Sequence, residues 1–226
     1  MPGTRKEGEK MIRILLADDH EIFRNGLRRL INQESDMEVA AEAENGRQAV
    51  EILWEASPDV VIMDVTMPDM NGIDAARKII ARCPNVKVIA LSMYDDNRYV
   101  AGMFCAGASG YLMKDCTFEE VADAVRAVAR NQTYLSPRIA SIIVSNYLGT
   151  VSGSVAATAP SLTQREREVL QLLTEGISTK AITSRLHLSK KTIESHRRSI
   201  RKKLKLRSMA ELTKYAIRSG LIRVDY

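Results

Sequence analysis

Five short apolar runs, each passing into a pattern of helical period, restrict the first half of this chain to one kind of architecture. The runs fall at residues 12–17, 37–43, 59–63, 86–91 and 109–113. After the first, Ile22, Phe23, Gly26, Leu27, Leu30 and Ile31 recur at helical spacing. After the second, an Asn45-Gly46 turn opens a helix expected to carry Ala49, Val50, Leu53 and Trp54 on one face. Further helices are expected over 73–81, 98–106 and 118–130. Strands that are almost wholly apolar need cover on both faces, and strands alternating with helices make parallel pairs. Right-handed crossovers then give an α/β fold with a five-stranded, doubly wound parallel sheet.

In such a sheet every strand ends on the same edge, and what gathers there carries chemistry. The first strand ends at Asp18-Asp19, the third at Asp64, the fourth at Ser92 and the fifth at Lys114. Taken singly, each reads as a turn, a helix cap or a solvated loop residue. As a set they are specific. Three carboxylates crowded together repel one another, and a hard divalent cation such as Mg2+ relieves that repulsion. With the cation neutralising charge, Asp64 can accept a phosphoryl group, while Lys114 and Ser92 reach its remaining oxygens. A phosphatase with an Asp nucleophile, of the haloacid-dehalogenase type, wants a second Asp two residues on; Thr66 stands there. No turnover of an external substrate is expected.

Charge divides the chain in two. Residues 11–136 hold 13 Lys/Arg against 20 Asp/Glu, and residues 160–226 hold 16 against 6. An acidic module joined to a basic one suggests separate tasks, the basic one facing a polyanion. Residues 1–10 are polar and of mixed charge, which reads as a disordered leader. The longest uncharged stretch, 139–164, is too rich in Ser, Thr, Gly and Pro for a membrane span. Cys83, Cys105 and Cys116 form no CxxC pair and suit a reducing, cytoplasmic compartment.

The expected domains are 11–131, a linker at 132–160, and 161–226. Within the linker, Ile139, Ile142, Ile143 and Tyr147 suggest a stub helix, and 149–160 a small, polar, flexible tether. The last segment reads as an all-α bundle of four helices. Capping boxes stand at Thr163–Glu166 and Ser208–Glu211, and Ser178 and Ser189 open the two middle helices. The third helix, about 190–204, buries Ile193, Ile200 and Leu204 and shows a polar stripe of Lys191, Glu194, Ser195, Arg198 and Lys202. A basic stripe on the second helix of a helix-turn-helix suits the major groove of double-stranded DNA.

Both halves resemble known modules. Asp18-Asp19-His20, Asp64-Val-Thr-Met-Pro-Asp-Met-Asn-Gly72, Ala90-Leu-Ser92 and Gly107-Ala-Ser-Gly-Tyr-Leu-Met-Lys114 are similar to the flavodoxin-like receiver domain of two-component response regulators. Leu162-Thr-Gln-Arg-Glu-Arg-Glu-Val-Leu170 and Lys191-Thr-Ile-Glu-Ser-His196 are similar to the LuxR-type DNA-binding domain. The arrangement resembles the NarL/FixJ family. That resemblance implies Asp64 as phosphoacceptor, and Mg2+ held by Asp18, Asp19, Asp64 and the Thr66 backbone carbonyl. It implies Ser92 and Tyr111 as switch residues, with Tyr111 turning inward on phosphorylation. Lys191, Thr192, Glu194, Ser195, Arg198 and Lys202 would meet DNA. The partners implied are a sensor histidine kinase, a two-fold operator and, once phosphorylated, a second copy of the chain. A phosphate-independent DNA binder on the same fold is the rival reading.

Overall fold

The computed structural model describes residues 11–151 and 162–222. Strands β1 (Ile12–Ala17), β2 (Met37–Ala43), β3 (Val60–Asp64), β4 (Lys87–Ser92), β5 (Gly110–Met113) and β6 (Tyr134–Leu135) form one parallel sheet in the order β2-β1-β3-β4-β5-β6. The count is therefore six, not five. β6 is a two-residue edge strand beside β5, too short to leave a periodic signal in the sequence.

The side chains of the central strands alternate between two cores. Ile14, Leu16, Val60 and Ile62 enter the core under α1 (Glu21–Ile31) and α6 (Phe118–Ala129). Leu15, Ala17, Val61 and Met63 enter the opposite core. It lies under α2 (Gly46–Glu51), α3 (Leu53–Ala56), α4 (Gly72–Arg82) and α5 (Asn97–Cys105). Each fully buried Leu or Ile stabilises the fold by about 1.5–3 kcal/mol, so both faces contribute.

One helix departs from its expected form. Residues 46–56 break at Ile52 into α2 and α3, and Trp54, expected on the buried face, is 65% exposed. Leu53 is buried and the Trp54 indole turns out to solvent.

The linker helix is longer than a stub. α7 (Pro137–Val151) packs Ile139, Ile142 and Ile143 on the α5 side of the first module. The tether expected from residue 149 is helical as far as Val151, and its remainder lies outside the described residues, as does the leader at 1–10.

The second module is α8 (Gln164–Thr174), α9 (Thr179–Leu186), α10 (Lys190–Leu204) and α11 (Met209–Arg218) around its own core. Both expected capping boxes form, on Thr163 and Ser208, and Ser178 and Ser189 cap α9 and α10. Among the described residues no helix is long and apolar enough to cross a membrane.

The two modules are docked. Gln171 of α8, 1% exposed, accepts hydrogen bonds from Asn71 N (3.1 Å) and Asn71 Nδ2 (3.0 Å) and donates to the Met67 carbonyl (3.0 Å). Around it, Lys78 pairs with Glu168 (2.7 Å), Arg167 with Asp74 (3.0 Å) and Arg185 with Asp69. Gly220, at φ +71° just after α11, lies against Tyr99 of α5. A β-carbon there would come within 2.4 Å of the Tyr99 ring.

Candidate functional site

The carboxyl edge of the sheet brings together the strand-end residues expected there. β1 delivers Asp18, whose backbone N–H donates to the Ala43 carbonyl (3.0 Å) and fixes the turn into α1. β3 delivers Asp64, 2% exposed, with its Oδ1 accepting from Thr66 N at 3.1 Å. The chain then folds back so tightly that Gly72 N donates to the Val65 carbonyl, and a β-carbon on Gly72 would stand 2.0 Å from the Asp64 carbonyl oxygen. Only glycine fits that position.

β5 delivers Lys114, held by its backbone N–H on the Ser92 carbonyl (2.8 Å). Its ammonium donates to Asp64 Oδ2 at 2.7 Å and lies 2.7 Å from Asp18 Oδ2. It also stands 5.0 Å from the centre of the Phe23 ring. The Asp18 contact is an ion pair, and it is what Asp18 Oδ2 has in its buried position.

Burial pushes the Asp64 carboxyl up to about 6, and the negative Asp18 adds to the effect, while the Lys114 ammonium and the Thr66 amide work against it. A carboxylate so placed is ionised at neutral pH yet poorly solvated, which leaves its oxygens available for bond formation.

Asp18, Asp19, His20 and Asp64 each offer a ligand atom, all within 4.8 Å of one another. The cluster is suited to a divalent cation by its donors and by the buried Asp18 oxygen that no hydrogen bond occupies.

Ser92 is fully buried and its Oγ accepts from Tyr94 N at 3.0 Å. Tyr111 is also fully buried and already turned inward, its hydroxyl donating to the Tyr94 carbonyl at 2.7 Å. Desolvation pushes the phenol well above its usual range, so it acts as a neutral donor. The Tyr94 ring stacks on Tyr99 (centroids 5.3 Å apart), and Tyr99 reaches Gly220 of the second module.

On α10, Lys191, Glu194, Ser195, Arg198 and Lys202 are all exposed along one face, and the first module meets α8, Arg185 of α9 and the end of α11 instead. Thr192 is half-buried, and its hydroxyl lies 2.8 Å from that of Ser189, at the start of the helix. Glu166 ties α8 to α10 through Ser199 (2.5 Å) and Lys203 (2.7 Å). Burial alone would raise its carboxyl, but these bonds and those of Thr163 hold it down at about 2.

Several residues carry weight here that the sequence did not single out. Arg24 reaches back from α1 to the Asp18 carbonyl at 2.6 Å and to Glu42 at 3.3 Å. Asn71 reads as a turn residue and Asp74 and Gln171 carry no distinguishing signal, and the seam they form depends on docking, which leaves no periodic mark.

The family model "Response regulator receiver domain" matches residues 14–126, and "Bacterial regulatory proteins, luxR family" matches 160–216. The chain is 35% identical to the transcriptional regulatory protein DegU of Brevibacillus brevis, over 96% of this chain and 97% of that one. It is 35% identical to the oxygen regulatory protein NreC of Staphylococcus carnosus (strain TM300), over 93% and 99%. Among solved structures, the response regulator ChrA of a heme-sensing two-component system is 31% identical, with a TM-score of 0.52 over 94% of this chain and 99% of that one.

Proposed function

Because this chain belongs to the NarL/FixJ family of response regulators, a receiver joined to a LuxR-type DNA-binding domain, we propose that Asp64 is the residue whose phosphorylation it reports. The protein is a phosphorylation-dependent, DNA-binding transcription regulator and not an enzyme with an external substrate. The observation that carries the assignment to Asp64 is the Lys114 ammonium 2.7 Å from its Oδ2, at an edge shared with Asp18 and Asp19.

The donor would be the phosphohistidine of a sensor histidine kinase, met in the cytoplasm. The Asp64 oxygen forms the new bond to phosphorus as the phosphorus–nitrogen bond breaks, and the electron pair leaves with the imidazole. Asp18, Asp19, Asp64 and the Thr66 carbonyl would hold Mg2+, which when bound supplies positive charge to the transferring group. Lys114 binds a phosphoryl oxygen once its ammonium leaves the carboxylates. Ser92 presents its hydroxyl to another, giving up the Tyr94 amide. Releasing Tyr94 loosens the loop that Tyr111 and Tyr99 brace, which couples Ser92 to Tyr111 as the two switch residues.

Two routes run from Asp64 to the second module. One is the Met67–Asp74 segment gripped by Gln171, Arg167 and Arg185; the other is the Tyr94–Tyr99 stack against Gly220. Since α10 is uncovered, docking restrains the orientation of the basic module and leaves its reading face open. Release lets two copies present Lys191, Thr192, Glu194, Ser195, Arg198 and Lys202 to a two-fold operator as a homodimer. Operator binding with and without beryllofluoride tests this. A rise in affinity of tenfold or so is expected, and equal affinity would sink the switching model.

A further inference from the structure

We propose that His20 is a side-chain ligand of the acidic site, giving it one imidazole among its oxygens and a preference for Mn2+ over Mg2+. This rests on reading the site as a divalent-cation centre.

His20 occupies the N-cap position of α1 but makes no side-chain cap hydrogen bond there. A cap residue normally turns its side chain back onto the first amides of the helix. His20 turns its ring onto the carboxylates instead. Its Nδ1 lies 3.0 Å from Asp18 Oδ1, 3.2 Å from Asp19 Oδ1 and 3.8 Å from Asp64 Oδ2.

Those distances have a geometric meaning. Around an octahedral ion with bonds of about 2.1 Å, neighbouring ligand atoms stand about 3.0 Å apart and opposite ones about 4.2 Å. The first two distances match neighbouring positions on one ion, and the third falls between the two cases. The His20 backbone N–H donates to Asp18 Oδ1 at 2.8 Å, and the ring is held over the site by the hydrogen bond between Nδ1 and that same oxygen, which an entering ion would replace. That leaves the buried Asp18 Oδ2, which accepts no hydrogen bond, as a further oxygen for the same ion. Lys114 approaches Nδ1 to 3.3 Å and shares these carboxylates, so its ammonium must withdraw as the ion enters.

The donor set decides the chemistry. Mg2+ takes oxygen and keeps its waters, whereas imidazole suits later divalent ions, with Mn2+ accepting both. A nitrogen added to an all-oxygen set therefore strengthens Mn2+ binding far more than Mg2+ binding.

The test uses the full chain with Mn2+ and Mg2+ as separate probes, by calorimetry and by pulsed electron paramagnetic resonance of bound Mn2+. The wild type should show a directly bound 14N. His20→Gln should remove that signal and weaken Mn2+ binding by about tenfold, with Mg2+ affinity changed by less than about threefold. Matching circular dichroism spectra establish that the variant is folded. No 14N signal in the wild type, or an equal loss for both ions in His20→Gln, overturns the proposal. If Asp18→Asn abolishes binding of both ions while His20→Gln alters neither, the cation site stands and the ligand role of His20 falls. If the wild type binds neither ion, both fall together.

Discussion

Asp64 costs the fold something to keep. An unfolded aspartate ionises near 3.8, whereas this one is pushed up to about 6. Between those values the folded chain binds a proton that the unfolded chain releases, so stability falls as pH rises through that window. Asp64→Asn is expected to stabilise the protein at pH 7 by an amount on the order of 2 kcal/mol, with the gain gone near pH 4. Thermal unfolding of the two proteins at both pH values measures it. Glu166 has the opposite sign. Its folded value of about 2 lies below the usual 4.5, so its contribution is complete above 4.5 and fades as pH falls toward 2. Glu166→Gln should cost about 2 kcal/mol at neutral pH and almost nothing near pH 2. The chain's one tryptophan, Trp54, belongs to the receiver. Hydrogen exchange in α8 and α10 is therefore the suitable readout, and a cost independent of pH would refute the role given to this carboxyl.

At the scale of elements, α8 has two faces with different duties. Val169, Leu170 and Leu172 hold the helical bundle together, while Arg167, Glu168 and Gln171 hold the receiver. Gln171→Ala removes three hydrogen bonds to Met67 and Asn71 and leaves the apolar core of the bundle intact. At about 1 kcal/mol net for each bond, the unphosphorylated protein should bind its operator roughly tenfold or more tightly. An unchanged gel-shift titration would show that the seam restrains nothing.

The elements themselves were largely legible. Periodicity marked five strands and all four helices of the bundle, and capping residues marked where the latter begin, because local chemistry decides both. The break at Ile52 was not legible, since packing turns Leu53 in and Trp54 out against a continuous helical pattern. Nor was β6, whose two residues owe their extended form to the neighbouring strand. The strand-end set of Asp18, Asp19, Asp64 and Lys114 could be read because topology alone gathers it. The roles of Gln171 and Asn71 could not, because a buried glutamine in a seam is indistinguishable in sequence from one in water.

On the scale of the whole molecule, the same loop serves two masters. Asp64 and Thr66 stand at its start, and Met67, Asp69 and Asn71, which the DNA-binding module grips, follow within a few residues. If phosphorylation of Asp64 weakens that grip, thermodynamic linkage requires the converse. Operator DNA that captures the released module must favour the acyl-phosphate by the same factor. Adding operator should raise the phosphorylated fraction at equilibrium with a small-molecule phosphodonor, while scrambled DNA should do so far less. The number of free promoters then becomes an input to the receiver's chemistry. A cell with many unoccupied targets would charge this protein more fully than one whose targets are filled.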